Sequence, residues 1–461
     1  MAILRLIKQP TVQTTTRRST VPARTRYLAL IPALALALAC TLAAPSPAAA
    51  STVTPKIRVS AGYDDNIRFT GDRKKDFYLT VAPGLEIETG PPSNRFFFSG
   101  EIEYSYYLEQ NEYTGFDGAN ALVGWTYQPS KTTTIELRNQ FSSSFDPVVA
   151  DNTGATTKAE VVRGRRDRNT ASIRLSHRFG PRSQIYGGYA YTYNNYQDDE
   201  FEGGQRHDVN AGLVVRMGPS LLGEVSANAS RDDFERSDDI DRVTGEVKTS
   251  YLVDQTQEAY LAFSYTTVIS HAEDEAVRRA REYQVYGVRI GYVQRLTPTF
   301  KWEGSIGYSR VNGDPTTNEM AGSGYPTANF KATYTGQRFT ISGYAEIYLG
   351  EYGFLGDNTG LTVTQRFGFA GVVALARHWD FNFGFDFIRD RSQQNPEATE
   401  TTGMGDVDTI VARAGLAWQV TEHSSFALDY RYLNRDAEND DSDLSQNRVL
   451  LSYIGKWPNR W

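Results

Sequence analysis

The side chains able to do chemistry in this 461-residue chain are mostly carboxylates and guanidinium groups placed at even spacings. Glu101 and Glu103, Glu136 and Arg138, and Asp429 and Arg431 lie two residues apart, and Arg174 and Arg178 lie four apart. Residues at such spacings share one face of a β-strand. Glu246, Arg289, Glu303, Glu346, Arg366, Asp386 and Arg413 occupy similar alternating segments. Rows of mixed charge suit an aqueous wall, which holds water and sorts solutes by sign. They do not suit bond-making. A hydrolase needs His held against Ser or Asp, whereas the five histidines, His177, His207, His271, His378 and His423, are scattered. His207 and Asp208 are adjacent, so in a strand they point to opposite faces. Gly322-Ser323-Gly324 does not join a strand to a helix, so a phosphate loop is unsupported. Cys40 is the only cysteine, which excludes a disulfide framework and a cysteine zinc site. No catalytic residue, metal site or cofactor is expected.

The elements that carry these groups read as strands. In residues 95–109, Phe96, Phe98, Ile102, Tyr104, Tyr106 and Leu108 share one parity, and Ser99, Glu101, Glu103, Ser105 and Glu109 share the other. The same alternation recurs with Ile173, Leu175 and Phe179 against Arg174 and Arg178, and with Phe381, Phe383, Phe385 and Phe387 against Asn382 and Asp386. Short turn signals fall at 90–94, 129–131, 180–183, 218–220, 254–257, 297–299, 336–337, around His378 and at 421–424. Longer polar segments fall between them, at 70–75, 110–115, 146–160, 197–205, 236–239, 272–280, 313–325, 353–359, 392–404 and 437–445. Nine short turns alternating with ten long connections give about twenty strands, or eighteen if one hairpin is misread. Short and long ends then segregate to opposite sides, as in transmembrane barrels with short periplasmic turns and long extracellular loops.

An apolar face on every strand requires apolar surroundings, and in lipid a sheet must close to satisfy its backbone groups. The expected fold is therefore all-β, a transmembrane antiparallel up-and-down barrel over residues 51–461. Its charged parity faces the lumen, because a lipid-facing Arg at mid-membrane costs roughly 2–4 kcal/mol. The fifteen ionisable residues named above are the candidate lumen-lining set. Inward Tyr78, Tyr107, Tyr344 and Tyr348 add flat rings on which a sugar could stack. Strand one begins near Lys56, which leaves no room for a plug domain. The lumen is expected to be wide, either open or occluded only by inward-folding loops. The acidic segments 231–241 and 436–443 read as solvated loop tips in preference to Ca²⁺ sites. The basic segment 161–168, with Arg163, Arg165 and Arg166, offers contacts to lipopolysaccharide phosphates or to an acidic polymer.

Composition narrows the class further. Mean hydropathy is −0.48 and net charge is −7. One long apolar run near the N-terminus does not make a polytopic helical membrane protein. Arg5, Lys8, Arg17, Arg18, Arg24 and Arg26 precede that run, and Ala48-Ala49-Ala50 follows it. This is the pattern of a secretory signal peptide over residues 1–50. Its removal would make the chain more acidic, which argues against nucleic-acid binding. The C-terminal segment puts Val449, Leu451, Tyr453 and Trp457 on one parity and ends in Trp461. Such an aromatic last strand is the kind the outer-membrane barrel-assembly machinery recognises.

The opening strand contains Gly62-Tyr63-Asp64-Asp65-Asn66-Ile67. This hexapeptide, the strand rhythm and the length resemble β-barrel porins of the "beta-barrel porin 2" type. The resemblance implies an outer-membrane location in a Gram-negative bacterium. It also implies a role in passing a polysaccharide across that membrane with a periplasmic polysaccharide export protein as partner. The residues themselves leave two alternatives open: a general diffusion porin for small hydrophilic solutes, and a structural or adhesive barrel.

Overall fold

The computed structural model describes residues 51–71, 73–146, 148–151, 158–161, 165–196, 203–313, 321–351, 361–392, 406–437 and 444–460. The expected signal peptide lies outside these residues. In chain order the strands are β1 (Thr52–Asp64), β2 (Asp76–Thr89), β3 (Asn94–Tyr107), β4 (Gly115–Ser130), β5 (Thr133–Ser144), β6 (Val148–Asp151), β7 (Lys158–Val161), β8 (Arg166–Gly180), β9 (Ser183–Tyr196), β10 (Gly204–Arg216), β11 (Leu221–Phe234) and β12 (Ile240–Leu252). They continue as β13 (Gln257–Ser270), β14 (Tyr283–Arg295), β15 (Phe300–Gly313), β16 (Gly324–Thr335), β17 (Phe339–Glu351), β18 (Leu361–Ala376), β19 (Trp379–Ser392), β20 (Val407–Thr421), β21 (Ser424–Ala437), β22 (Leu444–Lys456) and β23 (Asn459–Arg460). Among the described residues a short α-helix, α1 (Glu275–Arg281), sits in the connection between β13 and β14, and a 3-10 turn (Asn111–Tyr113) sits between β3 and β4.

Twenty long strands form one closed antiparallel barrel. Each pairs with its neighbour in sequence, with β5 passing directly to β8, and β22 closes onto β1 from Lys56↔Lys456 to Asp64↔Arg448. The two-residue β23 extends the seam at Thr52↔Arg460 and Val53↔Asn459. Strands β6 and β7 form a separate hairpin inside the long β5–β8 connection. The short and long connections fall where the turn signals place them, which gives twenty strands and not eighteen.

The barrel has its apolar face outside, the reverse of a soluble core. Ile306 is 72% exposed and Ile290 61%, and Phe77, Ile102, Leu261 and Phe367 are also exposed. Five of the six tryptophans, Trp125, Trp302, Trp379, Trp418 and Trp457, lie near the short-turn rim. Trp379 stacks on Trp418 at 5.3 Å, and Trp125 stacks on Tyr127 at 5.5 Å. Tyrosines stand nearer the opposite rim, including Tyr104, Tyr106 and Tyr308. Aromatic girdles of this kind sit at the two edges of a bilayer. Between them runs a phenylalanine ladder on β18 and β19, with Phe369 against Phe385 at 5.8 Å. Outward ion pairs appear near the long-loop rim, as in Arg389–Asp408 and Arg231–Asp233.

Candidate transport lumen

Side-chain alternation carries one parity of each strand to the inner wall. Cross-strand registers set these positions beside one another or beside glycines: Glu136↔Arg174, Glu346↔Arg366, Gly368↔Asp386, Gly384↔Arg413, Arg413↔Arg431 and Gly415↔Asp429. All fifteen candidates, Glu101, Glu103, Glu136, Arg138, Arg174, Arg178, Glu246, Arg289, Glu303, Glu346, Arg366, Asp386, Arg413, Asp429 and Arg431, occupy the parity opposite the exposed apolar residues. At 103/104 a bulge lets Asp117 join the inner side, where it accepts from Ser105 Oγ at 2.8 Å.

Most of these groups are paired. Arg58 bridges Glu101 and Glu103 at 2.6 Å each, and Lys56 adds Glu86 at 3.4 Å. Arg206 donates two bonds to Asp232, at 2.5 and 2.7 Å, with Arg242 at 3.8 Å. Asp386 is flanked by Arg366 at 3.3 Å and Arg413 at 3.6 Å and accepts from the Tyr344 hydroxyl. Arg289 meets Glu246 at 3.1 Å, and Lys301 meets Glu303 at 3.5 Å. The more exposed pairs, Arg289–Glu246 and Lys301–Glu303, contribute about 0–1 kcal/mol each. Their larger effect is to fix the sign of charge presented around the wall.

Two connections fold inward and narrow the lumen. The first follows β1. Asn66, wholly buried, donates through Nδ2 to the Thr70 and Ser445 carbonyls, while its Oδ1 accepts from the Thr70 amide. This closes a tight turn that carries Phe69 at φ +52°, a left-handed conformation that branched and bulky side chains avoid. Phe69 is held there by inward Val411, Leu433 and Leu444. Ile67 packs on Tyr78 and Tyr107. The second follows β5. Asp146 reaches Arg431 at 2.6 Å and Arg448 at 2.9 Å, on strands separated from β5 by β1–β4. The two loops meet where the Arg68 guanidinium lies 3.5 Å from the Phe145 ring centroid.

Four inner tyrosines lie flat over glycines of the next strand: Tyr78 on Gly62, Tyr186 on Gly212, Tyr260 on Gly291 and Tyr344 on Gly368. A methyl at any of these glycines would overlap the ring, so the glycines keep the tyrosines against the wall.

The structure corrects several expectations drawn from residue type. Tyr78 and Tyr107 are 8% and 4% exposed beneath Ile67, so these rings are unavailable for sugar stacking. Arg166 is 5% exposed, and Arg165 lies over Phe116 and donates to Ser143 and Asp167. Arg166 is thus withdrawn from the surface and Arg165 is half-buried with partners of its own, while Arg163 lies outside the described residues. In the acidic segment 231–241, Arg231 engages Asp233 and Asp239, and His271 engages Asp241 at 2.8 Å. Residues 438–443 of the second acidic segment lie outside the described residues. His207 accepts or donates at 2.8 Å to Tyr189 on the outer face, apart from inward Asp208. The inward turn at Asn66 and the reach of Asp146 escaped sequence reasoning. The only trace of the first was the Asp-Asp-Asn run ending β1.

No family model matches this chain, and no curated protein matches it. Solved structures share its fold. The closed form of the ferric-catecholate import receptor Fiu from E. coli K12 superposes with a TM-score of 0.50 at 9% identity, over 90% of this chain and 82% of that one. OccAB2 of Acinetobacter baumannii gives 0.41 at 11% identity, over 88% and 98%. OpdO of Pseudomonas aeruginosa gives 0.39 at 14%, over 88% and 98%. At 9% identity the likeness to Fiu concerns the barrel architecture alone.

Proposed function

We propose that this protein is an outer-membrane conduit for hydrophilic cargo in a Gram-negative bacterium, reached after export and cleavage near Ala50. The observation that carries this reading is the inversion of the barrel: apolar residues and aromatic girdles outside, ionisable rows inside. Such a wall keeps a lumen wet and serves passage, and its ion pairs supply no nucleophile with a base. The cargo we favour is a polysaccharide, passed on from a periplasmic polysaccharide export protein. Support for this finer reading is the resemblance carried by Gly62–Ile67, and the lumen wall is rich in groups that exchange hydrogen bonds with hydroxyls. Assembly through the aromatic C-terminal strand and contact with lipopolysaccharide belong to the same reading.

The inward Asp146 favours a second reading, a diffusion porin for small solutes, because it narrows the lumen. Deletion of the gene separates the two. Loss of surface polymer with unchanged uptake of small solutes supports export. Slower uptake with normal polymer supports the porin.

A further inference from the structure

Cations elsewhere on the inner wall are largely neutralised: Arg58 by two glutamates, Arg366 and Arg413 by Asp386, and Arg206 by Asp232. One arc differs. On β5 and β8, Arg138, Arg174 and Arg178 have no carboxylate oxygen within 4 Å among the described residues. Arg138 donates to the Gln140 amide oxygen at 3.2 Å, and Arg178 donates to the Lys131 carbonyl at 3.3 Å. Arg174 lies 5.5 Å from the Tyr186 ring centroid. All three are exposed, and all lie in the half of the barrel nearest the short turns. Exposed Lys131 and Arg182 at those turns have the same sign. The acids in this region are Glu136, register partner of Arg174, and Glu224, which accepts from Tyr186 at 3.5 Å. The arc is therefore net basic, in a chain whose net charge is −7.

A guanidinium with free donors in an aqueous wall presents a planar fork that matches an oxyanion. Arg174 and Arg178 are four residues apart on one strand, about 13 Å. One carboxylate could touch both only by drawing them off the Lys131 carbonyl and the Tyr186 ring, whereas a chain bearing carboxylates at intervals meets each in place. An acidic barrel would otherwise repel such a chain, so a local basic arc is what would draw it in. We propose that Arg138, Arg174 and Arg178 form a binding site for an extended polyanion carrying repeated carboxylates. The proposal rests on the conduit reading above and adds the charge class of the cargo.

The test uses the detergent-solubilised full chain, titrated calorimetrically with hexagalacturonate, monomeric galacturonate and neutral maltohexaose, and the same sugars as blockers in planar bilayers. The hexamer is expected to bind at least about tenfold more tightly than the monomer through simultaneous contacts, to weaken as salt rises to about 0.5 M, and maltohexaose is expected not to bind. Replacing Arg138→Gln, Arg174→Gln and Arg178→Gln together should weaken hexamer binding about tenfold or more. Glu136→Gln should tighten it. Equal binding of hexamer and maltohexaose, or of hexamer and monomer, overturns the proposal, as does unchanged affinity in a triple variant that still migrates as a folded barrel. If that variant fails to fold, Glu136→Gln decides, and unchanged or weaker binding overturns the site. Hexamer binding to a barrel that does not conduct keeps the arginine site and removes the conduit reading. Conductance without hexamer binding does the reverse.

Discussion

Asn66 Nδ2 donates to the Ser445 carbonyl at 3.1 Å, across the junction where the last strand meets the first. Gln446 Nε2 reinforces this junction by donating to Asp64 Oδ2 at 2.8 Å and to the Asn66 carbonyl at 2.9 Å, and Asn447 bonds both carboxylate oxygens of Asp65. The Asp-Asp-Asn run is therefore a clasp on the seam that closes the cylinder. Asn66→Ala would strand buried backbone groups at about 1–3 kcal/mol each. The expected result is a lower urea midpoint in lipid vesicles, with the strand content of the folded protein unchanged.

Asp146 is the carboxylate that the β5 connection sends across to Arg431 and Arg448. Asp146→Asn leaves two facing guanidinium groups without it. The reversal potential in a KCl gradient should shift toward anion preference, and Arg448→Gln should shift it the other way.

Gly291 leaves the space in which the Tyr260 ring lies. Gly291→Ala should force that ring off the wall and destabilise the barrel by about 1–3 kcal/mol, the usual cost of overpacking. Gly124→Ala is the contrast, since nothing stands within 4 Å of a methyl there. Its unfolding midpoint should be unchanged or slightly raised.

Outside the spanning strands, Lys74 Nζ sits 2.8 Å from Glu112 Oε1 and links the first two long loops. The lysine bond holds the Glu112 carboxyl below its ordinary value. A depressed carboxyl stabilises its loop above the unfolded pKa of about 4.3 and loses that effect as pH falls through the folded value. Carbon-13 titration of Glu112 should show a midpoint below the usual glutamate range, and Lys74→Met should return it to that range.

Strand count and facing were legible because both are local. Ile102, Tyr104 and Tyr106 against Glu101 and Glu103 state a face within a few residues, and Pro and Gly at short turns state where the chain reverses. The Asn66 clasp and the Asp146 bridge were not legible, because each joins residues hundreds of positions apart. Alternation says which way a strand residue points and says nothing of what a loop will meet. Arg166 shows the cost of reading a loop by its charge: it opens β8 and is buried, whereas the run of basic residues suggested a surface patch. Alternation puts Tyr78 and Tyr107 on the inner face, but nothing in their own strands says that Ile67 will cover them.

The central claim is a closed sheet with apolar side chains facing lipid and ionisable ones facing water. Single-cysteine labelling along β15 tests it most directly, with Cys40 replaced if it is retained. Lys301→Cys, Glu303→Cys and Ser309→Cys should react with a membrane-impermeant maleimide, while Ile306→Cys and Tyr308→Cys should react only with a lipid-soluble probe. Labelling without a two-residue period, or with the two sets exchanged, would contradict the account.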